Sequence, residues 1–365
     1  MTIPAEIDTP VIMIDVDILE RNIARMAAAV RDKGLALRPH AKTHKITEIA
    51  ARQMAAGAAG LTVATIGEAE VFADAGIEDI FIAYPLWISP QKAERLRNLA
   101  STSKIAVGVD SAAGATMLGS SLGQVAGSIS VLVEIDSGHH RSGVHPEAAA
   151  AVAEAAAHAG LQVAGVFTFP GHSYAPGMPA EAAAQEQQAL RAAAESLAAA
   201  GFEAVRRSGG STPTALLTGG SEATEVRPGV YVFGDAQQLE LGRCAVEDIA
   251  LTVAATVVSH HETSPDAPAR FIIDAGSKIL GSDRPAWASG FGRLIDHPGA
   301  RITALSEHHA TVEWPDTGTL PPIGDRLRVI PNHVCLAINL VDDVAVTSNG
   351  ALVDRWVVAA RGKNK

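Results

Sequence analysis

Three basic side chains alternate along a short apolar segment near the start of the chain. The segment LALRPHAKTHK begins after the helix-ending Gly34, and as a strand it would project Arg38, His40 and Lys42 from one face. Cationic neighbours lower the pKa of a lysine amine, which makes the amine nucleophilic near neutral pH. The segment therefore predicts a lysine prepared to form an imine with a carbonyl group. The alternative is a basic strand end that faces solvent.

A second candidate site lies in the segment PNHVC near the other end of the chain. His333 and Cys335 are two residues apart, so on a strand they would share a face and could share a metal ion. A soft sulfur ligand favours zinc over magnesium or manganese. The alternative is a buried thiol beside a core histidine.

The segment SGGSTPT, residues 208–214, combines paired glycines with hydroxyl side chains. Such a loop offers backbone amides and hydroxyl groups, which commonly bind phosphate. Phosphate sites of closed α/β barrels recur at this late position in the strand order. The segment predicts a phosphate loop, and an ordinary glycine-rich turn is the alternative.

Further polar residues follow other predicted strands. Arg141 in EIDSGHHRSGV could hold a phenolate or carboxylate oxygen through its rigid donor fork. His172 and Tyr174 in FPGHSY could stack on a ring or handle a proton. The alternative for each of these three residues is an ordinary loop residue, and for His172 and Tyr174 it is the more common case. In TEVRPGVYVF, Glu225 and Arg227 would share one face close to the phosphate loop.

The elements that must position these residues alternate regularly. From Val11 to about Gly201, short apolar runs alternate with alanine-rich helical patterns, and two later runs bring the strands to about eight or nine. This rhythm predicts a closed (β/α)8 TIM-type barrel, whose chemistry collects at the carboxyl ends of its strands. A doubly wound sheet is the alternative, but no GxGxxG turn follows the first strand.

The pattern changes after about Arg243, where β-rich runs are separated by Pro, Asp and Gly turns. We therefore predict an α/β barrel domain over residues 11–244 and a smaller all-β domain over residues 245–365. Residues 1–10 are a candidate addition to the second domain.

Composition limits the class of partner. The 365 residues carry a net charge of -11 without a basic patch, which argues against nucleic acid. No apolar run approaches the roughly 18 residues of a membrane span, and the N-terminus lacks a secretory pattern. Two cysteines do not make a disulfide framework. We expect a cytoplasmic protein.

Together these segments resemble the barrel-type (fold type III) pyridoxal-phosphate (PLP) enzymes, which include alanine racemase. The resemblance is greatest to the metal-dependent D-serine dehydratases and D-threonine aldolases. It covers nearly the whole chain, and its specific parts are RPHAKTHK and the His-x-Cys of PNHVC.

The resemblance implies a role for each motif. Lys42 would hold PLP as an imine, Arg141 would contact its phenolic oxygen, and Arg227, with Glu225 as the alternative, its pyridine nitrogen. The loop Gly209–Thr212 and two later amides would bind its phosphate. The predicted cofactor residues are Lys42, His40, Arg141, His172, Tyr174, Gly209, Gly210, Ser211, Thr212, Arg227, Gly229 and Val230, and the predicted metal ligands are His333 and Cys335.

The chain departs from the racemase pattern in two places. Glu134 stands where racemases often have a lysine that becomes carbamylated, so Arg141 must be oriented differently. The racemase tyrosine of the β domain has no obvious counterpart, which argues against two-base racemisation.

Aldolases more often show an aspartate at the position of Cys335 and a CCQK-like third strand in place of LTVAT. Both differences favour a dehydratase.

The resemblance therefore implies a PLP- and metal-dependent D-serine dehydratase-like lyase, with zinc expected and Mn2+ or Mg2+ as alternatives. The enzyme would eliminate water from a D-3-hydroxy amino acid to give a 2-oxo acid and ammonia, with the metal acting as a Lewis acid on the hydroxyl. The alternatives are retro-aldol cleavage to glycine and an aldehyde, and a non-catalytic PLP carrier. The resemblance also implies a homodimer.

Overall fold

The computed structural model describes residues 3–219, 221–262, 269–315 and 319–365. By its internal contacts the chain divides into two compact units, each described here by itself. The barrel unit comprises Ala24–Lys42, Thr47–Gly229 and Gly362–Lys365. The β unit comprises Met1–Ile23, Thr43–Ile46 and Val230–Arg361.

The secondary structure alternates in the first part of the chain and is mainly strand in the second. The strands are β1 Val11–Asp15, β2 Ala36–Leu37, β3 Leu61–Val63, β4 Asp79–Pro85, β5 Lys104–Val109, β6 Ile129–Glu134, β7 Gln162–Phe167, β8 Arg206–Gly209, β9 Glu225–Val226, β10 Leu251–His261, β11 Arg270–Ile273, β12 Gly292–Leu294, β13 Arg301–Leu305, β14 Ala310–Glu313, β15 Arg326–Pro331, β16 Asp343–Ser348 and β17 Ala351–Val357. The helices are α1 Val16–Asp32, α2 Thr47–Ala55, α3 Ile66–Asp74, α4 Pro90–Ala100, α5 Ala112–Leu122, α6 Ala149–His158, α7 Pro179–Ala199, α8 Ala236–Glu240, α9 Ser277–Leu280 and α10 Val334–Ile338. Among the described residues, no helix combines the length and the apolar character needed to cross a membrane.

The barrel unit is built on a curled parallel sheet. Its described residues form eight strands in the order β2-β9-β8-β7-β6-β5-β4-β3. The two ends of this order meet through a parallel bridge between His40 and Thr62, whose amide donates to the Pro39 carbonyl at 2.8 Å. The sheet therefore closes into a barrel, and the predicted fold class is confirmed.

Aromatic and small aliphatic side chains pack together across four neighbouring barrel strands. Phe81, Ala106, Leu132 and Phe167 form one buried cluster, with one residue from each strand from β4 to β7. The rings of Phe81 and Phe167 meet edge to face, with centroids 5.1 Å apart. This arrangement suits the aromatic quadrupole and fills the cluster efficiently.

The alanine runs form helix faces rather than disordered segments. In α6 the buried residues recur at helical spacing and are Ala149, Val152, Ala153 and Ala156. Alanine has the highest helix propensity, so these segments form helices readily.

The β unit has a mixed sheet of nine strands within its described residues. Strand β1 runs antiparallel to β10, with Ile12 opposite Val253, and parallel to β16, with Ile14 opposite Val346. The predicted limits of 11–244 count Val11–Asp15 as a barrel strand, whereas these residues pair in the β unit. An apolar run indicates that a strand is buried, but it does not indicate which sheet the strand joins. The barrel still has eight strands because β8 and β9 each contribute one.

Candidate active site

The chain leaves its strand conformation before it reaches Lys42. Strand β2 ends at Leu37, and Lys42 lies in a single 3-10 turn, Ala41–Thr43. The expected strand face shared by Arg38, His40 and Lys42 is therefore wrong. The chain instead turns into a 3-10 conformation directly after His40, whose amide still donates to the Pro228 carbonyl.

Arg38 and His40 make contacts within the wall of the barrel. The Arg38 guanidinium pairs with Asp79 at 2.6 Å and with Glu225 at 3.0 Å. His40 is buried, and its backbone amide donates to the Pro228 carbonyl at 3.0 Å. The charge of Arg38 is thus balanced by two carboxylates, and cofactor binding by the His40 side chain stays a prediction.

A ring that the sequence analysis did not single out lies among several predicted site residues. The Lys42 ammonium is 5.5 Å from the centroid of the Phe169 ring, and the Arg141 guanidinium is 5.1 Å from it. His139 meets the same ring edge to face at 5.6 Å, and Tyr174 is tilted against it at 6.3 Å. Cations over an aromatic face are stabilised by its quadrupole. Phe169 could have been identified from the sequence, because it lies two residues after the end of β7 and barrel sites form at strand ends.

Among the described residues, the His172 imidazole has one nitrogen in a hydrogen bond and one buried nitrogen without a partner. Its Nε2 lies 2.8 Å from Oε1 of Gln185, whose own amide nitrogen donates to Glu181 at 3.1 Å. The Gln185 oxygen can only accept, so His172 Nε2 carries a proton. The buried Nδ1 has no hydrogen-bond partner among the described residues. This nitrogen is a candidate contact for a bound ligand.

The glycine loop that follows β8 uses part of its hydrogen-bonding capacity internally. The Gly210 amide donates to the Glu186 carboxylate, and the Ser211 amide donates to Oγ1 of Thr214 at 2.9 Å. The Thr212 hydroxyl is buried and has no partner among the described residues. Thr212 therefore offers the unsatisfied polar atom that a bound phosphate would complete.

Arg227 lies buried among barrel residues. Its guanidinium donates to Oγ of Ser208 at 2.8 Å and to the Thr168 carbonyl. It lies over the rings of Phe81 and Phe167, with centroid distances of 5.7 and 5.4 Å. Burial lowers its pKa to about 10, against the raising effect of nearby carboxylates. Its predicted contact with a pyridine nitrogen stays a prediction.

Glu225, the predicted alternative to Arg227, is held by two arginines. Its carboxylate pairs with Arg38 at 3.0 Å and with Arg206 at 2.9 Å. Burial alone would raise the pKa of Glu225, but the two guanidinium groups outweigh it and lower the pKa to about 2.

The two later amides predicted to bind phosphate belong to Gly229 and Val230. Gly229 ends its segment of the barrel unit, and Val230 begins the 3-10 turn Val230–Val232 in the β unit.

Glu134 ends β6 with a partly satisfied carboxyl group. One oxygen accepts from Oγ of Ser142 at 3.0 Å, and the other is buried without a partner among the described residues. Burial raises the pKa of Glu134, partly offset by Ser142 and Arg141. Arg141 contacts the Phe169 face, and a carbamylated lysine is not needed to hold it there.

His333 and Cys335 lie at the start of a helix, so the expected strand is wrong. Strand β15 ends at Pro331, His333 is the residue before α10, and Cys335 is in its first turn. The two side chains nevertheless hydrogen-bond to each other, because residues two apart can also meet around a helix start. The Cys335 sulfur also lies 3.2 Å from Oγ1 of Thr43, the residue after Lys42 in the chain.

A buried aspartate lies behind His333. Asp235 accepts the backbone amide of Gln238 at the start of α8 at 2.8 Å, and its other oxygen is 3.3 Å from Nδ1 of His333. Burial lowers the pKa of His333, but Cys335 and Asp235 outweigh it and raise the pKa well above its ordinary value. A carboxylate on one imidazole nitrogen is the usual support for a metal-binding histidine, because it leaves the other nitrogen for the ion.

The donor set fits a soft divalent metal that keeps open positions. A thiol and an imidazole are ligands of zinc. Within the described residues, no cluster of three or more potential ligands occurs. A metal held by His333 and Cys335 would therefore have positions left for other oxygen or nitrogen ligands.

The barrel unit fits a phosphorylated aromatic aldehyde. It presents the Lys42 amine and the Arg141 cation at one ring, and the Thr212 hydroxyl and the His172 Nδ1 atom are buried polar atoms still without partners among the described residues. These are the groups needed for covalent attachment, for an oxygen anion and for a phosphate.

Comparison with known families agrees with this chemistry. The alanine racemase N-terminal domain matches residues 14–237, and a serine dehydratase domain matches residues 250–347. The chain belongs to the alanine racemase-like family of D-serine dehydratases and D-threonine aldolases. This is a family of PLP-dependent enzymes, and the chain is an enzyme of the lyase class.

Three relatives align along nearly their whole length. D-threo-3-hydroxyaspartate dehydratase from Delftia sp. strain HT23 is 38% identical over 354 residues, which are 90% of this chain and 91% of the relative. D-threonine aldolase from Arthrobacter sp. is 34% identical, covering 98% and 94%. D-serine dehydratase from Dictyostelium discoideum is 27% identical, covering 94% of each chain.

The solved structure of the Delftia dehydratase superposes with a TM-score of 0.87, at 35% identity, over 96% of this chain and 97% of that chain. Structures of that dehydratase include a histidine-to-alanine variant. They also include an alanine variant of the cysteine two residues further on, in a metal-free form.

Proposed function

We propose that this enzyme is a PLP- and metal-dependent dehydratase. It eliminates water from a D-3-hydroxy amino acid and yields a 2-oxo acid and ammonia. The observation that carries the proposal is the side-chain pair His333 and Cys335, backed by the Asp235 carboxylate. D-threo-3-hydroxyaspartate dehydratase has a histidine and a cysteine with the same spacing, and a metal-free form of its cysteine variant has been solved.

Residues of the barrel unit hold and orient the cofactor and substrate. Lys42 would hold the cofactor covalently, and its amine would be the base that removes the proton at Cα. Arg141 binds the phenolic oxygen through its donor fork, and the loop that contains Thr212 binds the phosphate. When bound, PLP supplies the electron sink for the charge that develops at Cα.

His333 and Cys335 hold the metal, and Asp235 orients the imidazole. The ion would supply Lewis acidity toward the substrate hydroxyl that leaves as water. We propose zinc, because thiolate and imidazole donors favour it over the hard cations Mg2+ and Mn2+.

Product analysis with three substrates tests the proposal. The purified enzyme is incubated with D-serine, D-threonine and D-threo-3-hydroxyaspartate, with their L enantiomers as controls. We expect ammonia and the matching 2-oxo acid from at least one D substrate, and none after complete removal of metal by chelation. A 2-oxo acid released at the full rate by metal-free enzyme would contradict the metal role.

Retro-aldol cleavage is the second candidate function. It is supported by the 34% identity to the Arthrobacter aldolase over 98% of this chain. It predicts glycine plus an aldehyde in the same incubation, and no ammonia. Bound cofactor without either set of products would instead indicate a PLP carrier.

We also propose that the enzyme acts as a homodimer on a small D-amino acid. Tyr84 and Trp87, near the end of β4, are 53% and 65% exposed in the single chain, and such aromatic surface is typical of an interface. Light scattering during size-exclusion chromatography should give twice the 37.7 kDa chain mass. A monomer at micromolar concentration would contradict this state.

A further inference from the structure

A fully buried carboxylate in α7 has no role in the chemistry described above. The Glu186 side chain is completely shielded from solvent among alanine and leucine residues of the helix. An isolated buried carboxylate is strongly unfavourable, so such a group is retained only where other polar groups satisfy it. The alanine-rich pattern of α7 did not distinguish this glutamate from the exposed Glu195 on the same helix.

Among the described residues, the hydrogen-bond partners given for the Glu186 carboxylate lie in the loop that follows β8. One carboxylate oxygen accepts the amide hydrogen of Gly210. The other lies 3.5 Å from the hydroxyl of Thr218, and the Thr214 side chain is a third hydrogen-bond partner. One side chain thus connects the beginning and the end of the loop 210–218.

Close packing against Glu186 and against β9 explains the paired glycines. A side chain at Gly209 would overlap the Glu186 carboxylate. Gly210 has a φ of +76°, and a Cβ atom there would lie 2.8 Å from Cβ of Val226. Both positions therefore require glycine, because Glu186 and β9 pack directly against the loop backbone.

The pKa of Glu186 lies near neutral pH, so its carboxyl group can be neutral or charged. Burial raises its pKa to about 7, against the lowering effect of the Gly210 hydrogen bond and of Arg227. A neutral carboxyl can still accept the Gly210 hydrogen through its carbonyl oxygen. The side chain can therefore hold the loop without placing a full negative charge beside a bound anion.

We propose that Glu186 is a positioning residue that holds the loop after β8 in the shape that presents the Thr212 hydroxyl to the cofactor phosphate. This inference rests on the proposed function, since it assigns the bound anion as the phosphate of PLP. Glu186 itself does not contact the cofactor in this proposal. It acts through the Gly210 amide and the two threonine hydroxyls.

The test compares affinities for PLP and for pyridoxal, which lacks the phosphate. Apoprotein is prepared from the holoenzyme and titrated with each compound, and binding is followed by absorbance. Glu186→Met keeps the volume but removes the acceptors, Glu186→Gln keeps an acceptor, and Glu195→Ala is the surface control. We expect Glu186→Met to weaken PLP at least about tenfold and pyridoxal less than about twofold, because only the phosphate senses the loop. Glu186→Gln should stay within about threefold of wild type for both.

Two outcomes overturn the inference: wild-type affinity for PLP in Glu186→Met, or an equal loss of PLP and pyridoxal. If Glu186→Met does not fold, as judged by circular dichroism and thermal melting, Glu186→Ala is measured against the same criteria.

Failure of wild-type protein to bind either compound would instead refute the proposed function. Calorimetric titration with inorganic phosphate then decides the role of Glu186. Phosphate binding by wild type and not by Glu186→Met supports it, and no binding by wild type overturns it.

Discussion

Nδ1 of His333 lies 3.3 Å from the carboxylate of Asp235, which is completely buried. Because the carboxylate orients the imidazole, Asp235→Asn should weaken zinc binding by about 10–100-fold. Asparagine is also a good N-cap residue, so α8 should keep its start. The measurement is an equilibrium titration against a chromophoric chelator.

The control for this prediction is Asp342→Asn. Asp342 pairs with Arg361 at the surface, and its side chain is 79% exposed. This variant should bind zinc like wild type. Equal zinc affinity in the Asp235 and Asp342 variants would show that the buried carboxylate does not support a metal.

Lys42 and Lys45 form a matched pair for testing the covalent attachment. Lys45 is buried and donates to the Ala360 carbonyl at 3.2 Å, whereas Lys42 lies against the Phe169 ring. Lys42→Ala should lose the visible absorbance of the bound cofactor together with turnover. Lys45→Ala should keep the absorbance and lose about 1 kcal/mol of unfolding free energy, because one hydrogen bond is removed. The reverse pattern of absorbance would assign the attachment to Lys45.

Phe169 provides the ring against which two cations lie. Replacing it with alanine removes two cation–π contacts, each worth about 0.5–1 kcal/mol at a partly exposed site. We therefore expect the apoprotein of Phe169→Ala to bind PLP about 5–30-fold more weakly. Phe169→Tyr keeps the ring and should bind normally. If alanine and tyrosine behave alike in an absorbance titration, the ring does not contribute to cofactor binding.

Glu225 should stabilise the barrel in a pH-dependent way. Its folded-state pKa of about 2 lies below its ordinary value of 4.5, so the native state binds fewer protons than the unfolded state between these values. The stabilisation is therefore present above pH 4.5 and is lost as the pH falls to about 2. At pH 7, Glu225→Gln should lose about 3 kcal/mol of unfolding free energy, because it removes the ion pairs of Glu225 with Arg38 and Arg206.

Urea unfolding of wild type and Glu225→Gln at several pH values measures this difference. It should stay constant from neutral pH to about 4.5 and then shrink as the pH falls toward 2. Glu307→Gln, which removes a fully exposed partner of Lys278, should leave the stability unchanged throughout. A difference between wild type and Glu225→Gln that does not vary with pH would mean that Glu225 acts through packing rather than charge.

The barrel could be predicted from the sequence because its evidence is local. Each strand is a short apolar run, and each helix is an alanine-rich segment with buried residues at helical spacing, as in α6. The same local evidence could not assign Val11–Asp15 to a sheet. Pairing of β1 with β10 and β16 brings together residues more than 200 positions apart. A local sequence pattern does not indicate which distant strand a given strand pairs with.

The motifs around Lys42 and around His333 and Cys335 were recognisable from residue types and spacing alone, although the strands proposed for them were wrong. Strand β2 ends at Leu37 and β15 ends at Pro331, and both sites lie on the short helical turns that follow. Spacing of two residues still brings His333 and Cys335 together, because the backbone limits how far apart near neighbours can lie.

Local sequence thus identified the groups that could bind a cofactor and a metal, since amine, thiol and imidazole chemistry belongs to the residue itself. Folding decided what surrounds them. Asp235 lies 98 positions before His333, Phe169 is 127 positions after Lys42, and Glu186 is 24 positions before Gly210. A partner's identity at such separations depends on how strands and helices pack in space, and only the tertiary structure contains that information.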